Sequence, residues 1–232
     1  MSSEAVKYLD EFNLTSNQLE QLEKYYQVLV DYNEKVNLTR ITEINEAYIK
    51  HFYDSLILSK LGVELENKKL VDVGTGAGFP GMVLKIQNPK LDVTLLEPSN
   101  KRVTFLNKVI NELNLELVTT SNERAEDFVK TKREFFDIAT SRAVAALNIL
   151  LELTAPLVKK GGHIYAYKGS NYKQEIEDSK NALKLLGCKV NKVYEYELPN
   201  EMGLHAVIDI IKVNTTPNLY PRMYSKIKNQ PL

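Results

Sequence analysis

The chain has 232 residues, 44% of them apolar and 26% charged, with Lys plus Arg and Asp plus Glu at 30 each. That length holds one full domain with additions, or two small ones, and a core that hides about 70% of the unfolded surface. The balance excludes wholesale disorder, a collagen-like repeat and a coiled-coil rod, and the zero net charge names no partner. No run of about 18 uncharged apolar residues is present to span a bilayer. The first residues, MSSEAVKYLDEF, lack an apolar signal core after a basic start, so the expected location is cytoplasmic. Cys188 is the only cysteine, which leaves no internal disulfide and no cysteine-based zinc site.

The first 60 residues read as helices. Thr15 or Ser16 can cap a long one whose Leu19, Leu22, Tyr25, Tyr26, Leu29 and Val30 recur at three- and four-residue spacing. Asn33 to Asn37 breaks that stripe, and a second helix is expected from about Glu43 to Leu61, ended by Gly62. From Lys69 short apolar runs alternate with helical stretches. Strands are expected at 70–74, 91–97, 115–120, 135–141 and 163–169. Helices are expected at 80–88, 100–113, 125–129, 147–158 and 172–186. Gly161-Gly162 should end the fourth of these helices and Gly187 the fifth. Two further strands, 188–199 and 205–213, lie close enough to pair antiparallel. Alternating strands and helices mean a mostly parallel sheet covered on both faces, an α/β, Rossmann-like fold of seven strands. The expected organisation is an N-terminal helical extension (1–62) packed on a core domain (63–214), with a tail (215–232). Between Lys212 and the end there are four bases, Lys212, Arg222, Lys226 and Lys228, and no acid. Such a tail suits a local anionic contact, though charge alone equally allows a solvated, partly disordered end.

The segment from Val71 to Gly81, VDVGTGAGFPG, follows a strand and opens a helix. Such a turn lets backbone approach a ligand at a helix N-terminus. Two readings compete. Gly76-x-Gly78-x-x-Gly81 matches the dinucleotide fingerprint, with Glu97 about 20 residues on. Starting instead at Asp72, the string Gly74-x-Gly76-x-Gly78 is the S-adenosylmethionine loop of the methyltransferase variant of the fold. The second is favoured, because a carboxylate at Asp72 suits a ligand with a positive end and repels paired phosphates. The closing antiparallel pair also departs from a six-stranded dinucleotide sheet. Glu97 ends the second strand, where a carboxylate accepts hydrogen bonds from both ribose hydroxyls. Ala125-Glu126 follows the third strand, where adenine belongs.

The fourth strand brings its tip, Thr140-Ser141-Arg142-Ala143, to the acceptor. It holds neither an Asn/Asp-Pro-Pro-aromatic turn for an exocyclic base amine nor a cysteine nucleophile for pyrimidine C5. An acceptor with a free lone pair, such as guanine N7, needs neither and no general base. Arg142 can pair with the cofactor's carboxylate or hold the nucleotide. His51, His163 and His205 share no ligand-like spacing, so no metal is expected.

With LVDVGTGAGFPG, the segment NLTRITEINEAYIKHFYDSL (37–56), TSRA (140–143) and the closing PL in view, the chain resembles the glucose-inhibited division protein B family, the small-subunit ribosomal RNA guanine-N7 methyltransferases. The resemblance covers most of the chain. It implies an S-adenosylmethionine-dependent enzyme acting on N7 of one guanine in 16S ribosomal RNA or the small ribosomal subunit. Cofactor contacts carried over fall on Gly74, Phe79, Ala125, Glu126 and Arg142. The tail departs from the family pattern: the glycine that follows Pro-Arg in many members is missing after Pro221-Arg222. RNA contacts are expected from Arg40, Lys50 or His51, Lys168, Arg222, Lys226 and Lys228. The alternatives are a methyltransferase of this fold acting on a small molecule or protein, a non-catalytic cofactor-binding protein, and an NAD-dependent enzyme.

Overall fold

The computed structural model describes residues 3–232. Seven strands form one sheet: β1 (Lys69–Val73), β2 (Asp92–Leu96), β3 (Val118–Ser121), β4 (Phe136–Arg142), β5 (Val158–Gly169), β6 (Cys188–Glu197) and β7 (Leu204–Lys212). Their spatial order is β3-β2-β1-β4-β5-β7-β6. The first five run parallel, while β7 is antiparallel to both β5 and β6. All five parallel strands therefore end on the same edge of the sheet, and the loops that leave them crowd there.

Helices α1 (Ser3–Val6), α2 (Ser16–Asn33), α3 (Ile44–Ala47), α4 (Asp54–Lys60), α5 (Gly81–Gln87) and α6 (Asn100–Glu112) precede β3 in sequence. After it come α7 (Ala125–Lys132), α8 (Leu147–Thr154), α9 (Tyr172–Asp178), α10 (Lys180–Leu185) and α11 (Tyr224–Asn229). Successive strand residues supply opposite cores, as a pleat with period two requires. Leu70, Val93, Leu95, Ile138 and Val207 join Leu22, Tyr25, Phe52, Met82 and Phe105 on one face. Val71, Leu96, Ala139, Ile164 and Ile208 join Phe128, Leu151, Ala182 and Ile227 on the other. The N-terminal helices thus share a core with the strands.

Thr15 caps α2 through a capping box with Gln18, and the Gln18 amide also donates to the carbonyls of Ile86 and Gln87. The same side chain shapes its own helix end and ties it to α5. The helix expected over 43–61 is a helical run interrupted by a π-turn at Tyr48–Tyr53. That extra residue per turn shifts His51 and Asp54 relative to a straight α-helix, and π-turns are frequent at functional sites.

Two expectations are corrected, and one alternative left open for the tail is decided. Gly161-Gly162 does not end a helix: α8 stops at Thr154, and the glycines lie inside β5, where its register to β4 jumps between Phe136↔Val158 and Ile138↔His163. The helix expected over 172–186 breaks at Ser179, whose hydroxyl turns back to the Glu175 carbonyl at 2.6 Å. The tail is ordered and packed. Ile227 of α11 is fully buried, and the Arg133 guanidinium donates to the carbonyls of Thr216 and Tyr220.

Candidate functional site

The loop between β1 and α5 is held from below by Asp72. This fully buried carboxylate accepts from Thr75 Oγ1 at 2.5 Å, Gly81 N at 2.9 Å and Thr140 Oγ1 at 2.9 Å. Burial pushes its carboxyl above the usual range, and the three donors pull the other way. Asp72 therefore braces the glycine turn instead of facing a ligand, which corrects the expected direct contact. Gly78 carries no side chain because Tyr25 of α2 occupies the space: the Tyr25 hydroxyl reaches the Ala77 carbonyl and sits where a Gly78 Cβ would stand. The N-terminal extension is thereby bolted to the loop.

Glu97, only 3% exposed, follows β2 and accepts from Gly76 N at 3.0 Å and Ser99 N at 3.1 Å. The loop and the end of β2 form one rigid corner. Above it opens a cavity of about 880 Å³, walled by Gly74, Gly76 and Phe79 on one side and by Arg142, Lys168 and His205 on the other. A Cβ on Gly76 meets nothing within 4 Å, so backbone faces open space there.

The wall opposite the loop is a polar hub around Asp54. Its carboxylate, 2% exposed, takes Arg142 Nη1 at 2.6 Å, Tyr196 OH at 2.7 Å and His205 Nδ1 at 2.9 Å. Burial alone would raise this carboxyl, but Arg142 and His205 outweigh it and hold it below the usual range. Arg142 also donates to the Lys50 carbonyl at 2.9 Å and lies over the Phe79 ring at 5.4 Å. His51 stacks on Phe79 with centroids 4.3 Å apart, its Nε2 3.1 Å from Thr39 Oγ1. Burial and the Arg142 charge push its imidazole down to about 3, so it is neutral.

The loop after β4 crosses the mouth. Ala143 has φ +56, and Val144 packs so close to Gly74 that a Cβ there would stand 2.5 Å from Val144 Cγ2. Lys168, at the end of β5, donates to the Ala145 carbonyl at 2.6 Å and pairs with Glu175 of α9 at 2.7 Å. The same Glu175 oxygen accepts Leu147 N at 2.8 Å, at the start of α8. One buried lysine and one carboxylate thus join the tip loop, α8 and α9.

Several sequence-predicted residues meet in this cavity: Gly74, Gly76, Phe79, Arg142, His51, Lys50 and Lys168. Ala125 and Glu126 sit at the start of α7, and Glu126 lines a separate cavity toward the tail. Three expected RNA contacts are corrected. His51 is buried in the Phe79 stack, and Lys168 is committed to Ala145 and Glu175. Arg222 is bound to the fully buried Glu152 through Nε at 2.8 Å and Nη2 at 2.6 Å. Lys226 and Lys228 are exposed, and Arg40 lies in the segment before α3. Sequence reasoning missed the Asp54 hub, with Tyr196 and His205 far along the chain, and the Glu175 brace. Asp54 stood beside His51 in the quoted 37–56 segment, but nothing in spacing joins it to Arg142.

The sheet order, the glycine corner and the cavity at the strand ends define a methyltransferase-type α/β fold, and solved structures match it. A solved structure described as M. jannaschii TYW2 in complex with AdoMet superposes with TM-score 0.56 at 19% identity, covering 69% of this chain and 77% of that one. A SAM-dependent methyltransferase from Aquifex aeolicus gives 0.54 at 18% identity, over 71% and 93%. The family described as rRNA small subunit methyltransferase G matches residues 18–204, and the chain belongs to that family. Curated relatives named ribosomal RNA small subunit methyltransferase G include one from Streptococcus gordonii, 46% identical over 94% of this chain and 93% of its own. Another, from Thermoanaerobacter sp., is 47% identical over 92% and 90%.

Proposed function

We propose that this protein transfers a methyl group from S-adenosylmethionine to N7 of a guanine in 16S ribosomal RNA. The observation that carries the reading is the rigid corner in which Glu97 accepts Gly76 N beside an open cavity, with the β4 tip across from it. The residues present fit the cofactor. Gly74 and Gly76 let it approach the backbone, Phe79 with Arg142 form the wall toward the acceptor, and Glu97 braces Gly76 from the end of β2. When bound, it supplies an electrophilic methyl on a sulfonium.

N7 is compatible with the chain's own groups because it asks no proton acceptor of them. A base amine or hydroxyl would need a proton acceptor near the methyl. Asp54 is filled by Arg142, Tyr196 and His205, and Glu175 by Leu147 and Lys168. His51 is neutral but locked flat on Phe79. Guanine N7 has a lone pair and no proton, so alignment alone suffices. Methylation leaves a cationic base. The Arg142 charge is offset by Asp54 at 2.6 Å, so that cation does not face an unneutralised guanidinium.

The test is transfer of tritiated methyl from S-adenosylmethionine to 16S RNA from cells lacking the enzyme, followed by mapping of N7-methylguanine by borohydride and aniline cleavage. One labelled guanine is expected. Gly76→Arg, which fills the open space above the loop, should abolish cofactor binding in calorimetry while circular dichroism stays that of wild type. Label on protein or metabolites instead of RNA overturns the reading.

A further inference from the structure

The tail and α7 enclose a second cavity of about 520 Å³ whose walls include Arg124, Glu126, Met223, Tyr224 and Lys228. It stands on the functional edge of the sheet. Arg124 follows the C-terminal end of β3, just as the glycine loop follows β1 and Arg142 ends β4. The Glu152–Arg222 pair pins the chain immediately before Met223, so these tail residues are fixed in place.

The wall chemistry is that of a nucleobase site. The Arg124 guanidinium lies 5.5 Å from the Tyr224 ring centroid. Beside it Met223 is 77% exposed, an unusual position for a large apolar side chain. Lys228 lines the same cavity and is exposed, while Lys226, also exposed, lies outside its lining. Among the described residues, neither lysine nor Arg124 has a carboxylate within ion-pairing distance, whereas Asp127 is already held by Lys130 at 2.6 Å. Two uncommitted cations, Arg124 and Lys228, line the cavity with one remaining acid, Glu126. Aromatic and guanidinium planes stack unpaired bases, and thioethers pack on aromatic faces. Cations at that spacing neutralise flanking phosphates. A peptide groove would offer more apolar surface than one methionine and one tyrosine.

We infer that this cavity holds an unpaired nucleobase of the RNA substrate, stacked against Tyr224 and Met223, with Arg124 and Lys228 on the neighbouring phosphates. The inference rests on the RNA reading above, and it places a second grip on the strand away from the acceptor guanine.

Filter binding of deproteinised 16S RNA to the full chain tests it, beside calorimetry of S-adenosylmethionine. The double variant Met223→Ala/Tyr224→Ala should raise the RNA Kd at least tenfold, about 1.4 kcal/mol. Tyr224→Phe should bind as wild type. Arg124→Gln is on the surface and keeps the fold; it should flatten the plot of log K against log salt by roughly 0.7–0.9. Cofactor Kd should stay within twofold in all of them. Unchanged RNA affinity in the double variant together with an unchanged salt slope in Arg124→Gln overturns the site. A cofactor Kd that rises in step with the RNA Kd assigns the cavity to the cofactor and overturns it too. Failure of the methylation reading shows separately, as wild-type protein that binds 16S RNA through this cavity but leaves it unmethylated.

Discussion

His51 lies with its ring flat on Phe79, and only 8% of the residue reaches solvent. Its imidazole titrates at about 3 in the folded chain, against 6.5 when unperturbed. Between those values the unfolded chain binds a proton that the folded one refuses. Stability contributed by the neutral ring is therefore intact above about pH 6.5 and is lost as pH falls below it. Urea unfolding should show wild type losing about 2 kcal/mol more than His51→Gln between pH 7 and pH 5. Equal losses in the two proteins would mean that His51 titrates normally. At this scale the sequence was legible where chemistry is local. Glu97 at a strand end and glycines in a turn announce themselves by position. Asp72 was misjudged because its sequence place, at the end of β1, is that of a ligand contact. Its three donors, Thr75, Gly81 and Thr140, come from the turn and from the neighbouring strand, and only the fold turns the carboxylate toward them.

Elements carry the next level of order. The segment from Ala143 to Ala146 has strained backbone at Ala143 and an exposed Val144 resting on Gly74. Its position depends on Lys168, which is 8% exposed and fastened to Ala145 and Glu175. Lys168 and Glu175 are positioning residues for the loop that crosses the mouth of the cavity. Lys168→Met should raise the KM for S-adenosylmethionine roughly tenfold, with RNA affinity unchanged, because the loop loses its tether. Glu175→Gln, which keeps the acceptor for Leu147 N but not the charge, should fall between it and wild type. A rise in RNA Kd with normal cofactor KM would make Lys168 a phosphate contact after all. Element existence was readable from periodicity throughout. The breaks were not: the π-turn at Tyr48–Tyr53 and the kink at Ser179 interrupt unbroken apolar stripes. The glycine pair in β5 resembles a helix stop because Gly161 adopts φ +84, the left-handed conformation that a helix end also favours.

At the scale of the whole molecule, the chain's two ends are both fastened to the catalytic core. Tyr25 of α2 ties the N-terminal helices to the glycine loop through the Ala77 carbonyl. Arg222 ties the tail to α8 through Glu152, whose side chain has no solvent exposure, while Arg222 is 15% exposed. The Arg222 amide adds a third bond to the same carboxylate at 2.9 Å. The positive charge of the tail had suggested a contact with an anion outside the protein, and for Arg222 that anion is inside it. Removing one partner of a buried pair leaves the other charge without compensation, which costs about 3–5 kcal/mol. Arg222→Met should therefore lower the Tm by roughly 10 °C, given about 2–4 °C per kcal/mol at this chain length. Replacing both residues with apolar ones removes the stranded carboxylate, so Glu152→Met/Arg222→Met should recover most of that loss. The RNA Kd of the double variant should still be weakened, because the position of Met223 and Tyr224 depends on the same pair. If the double variant is as unstable as Arg222→Met, packing around α11 and not the buried charge sets the stability of the tail.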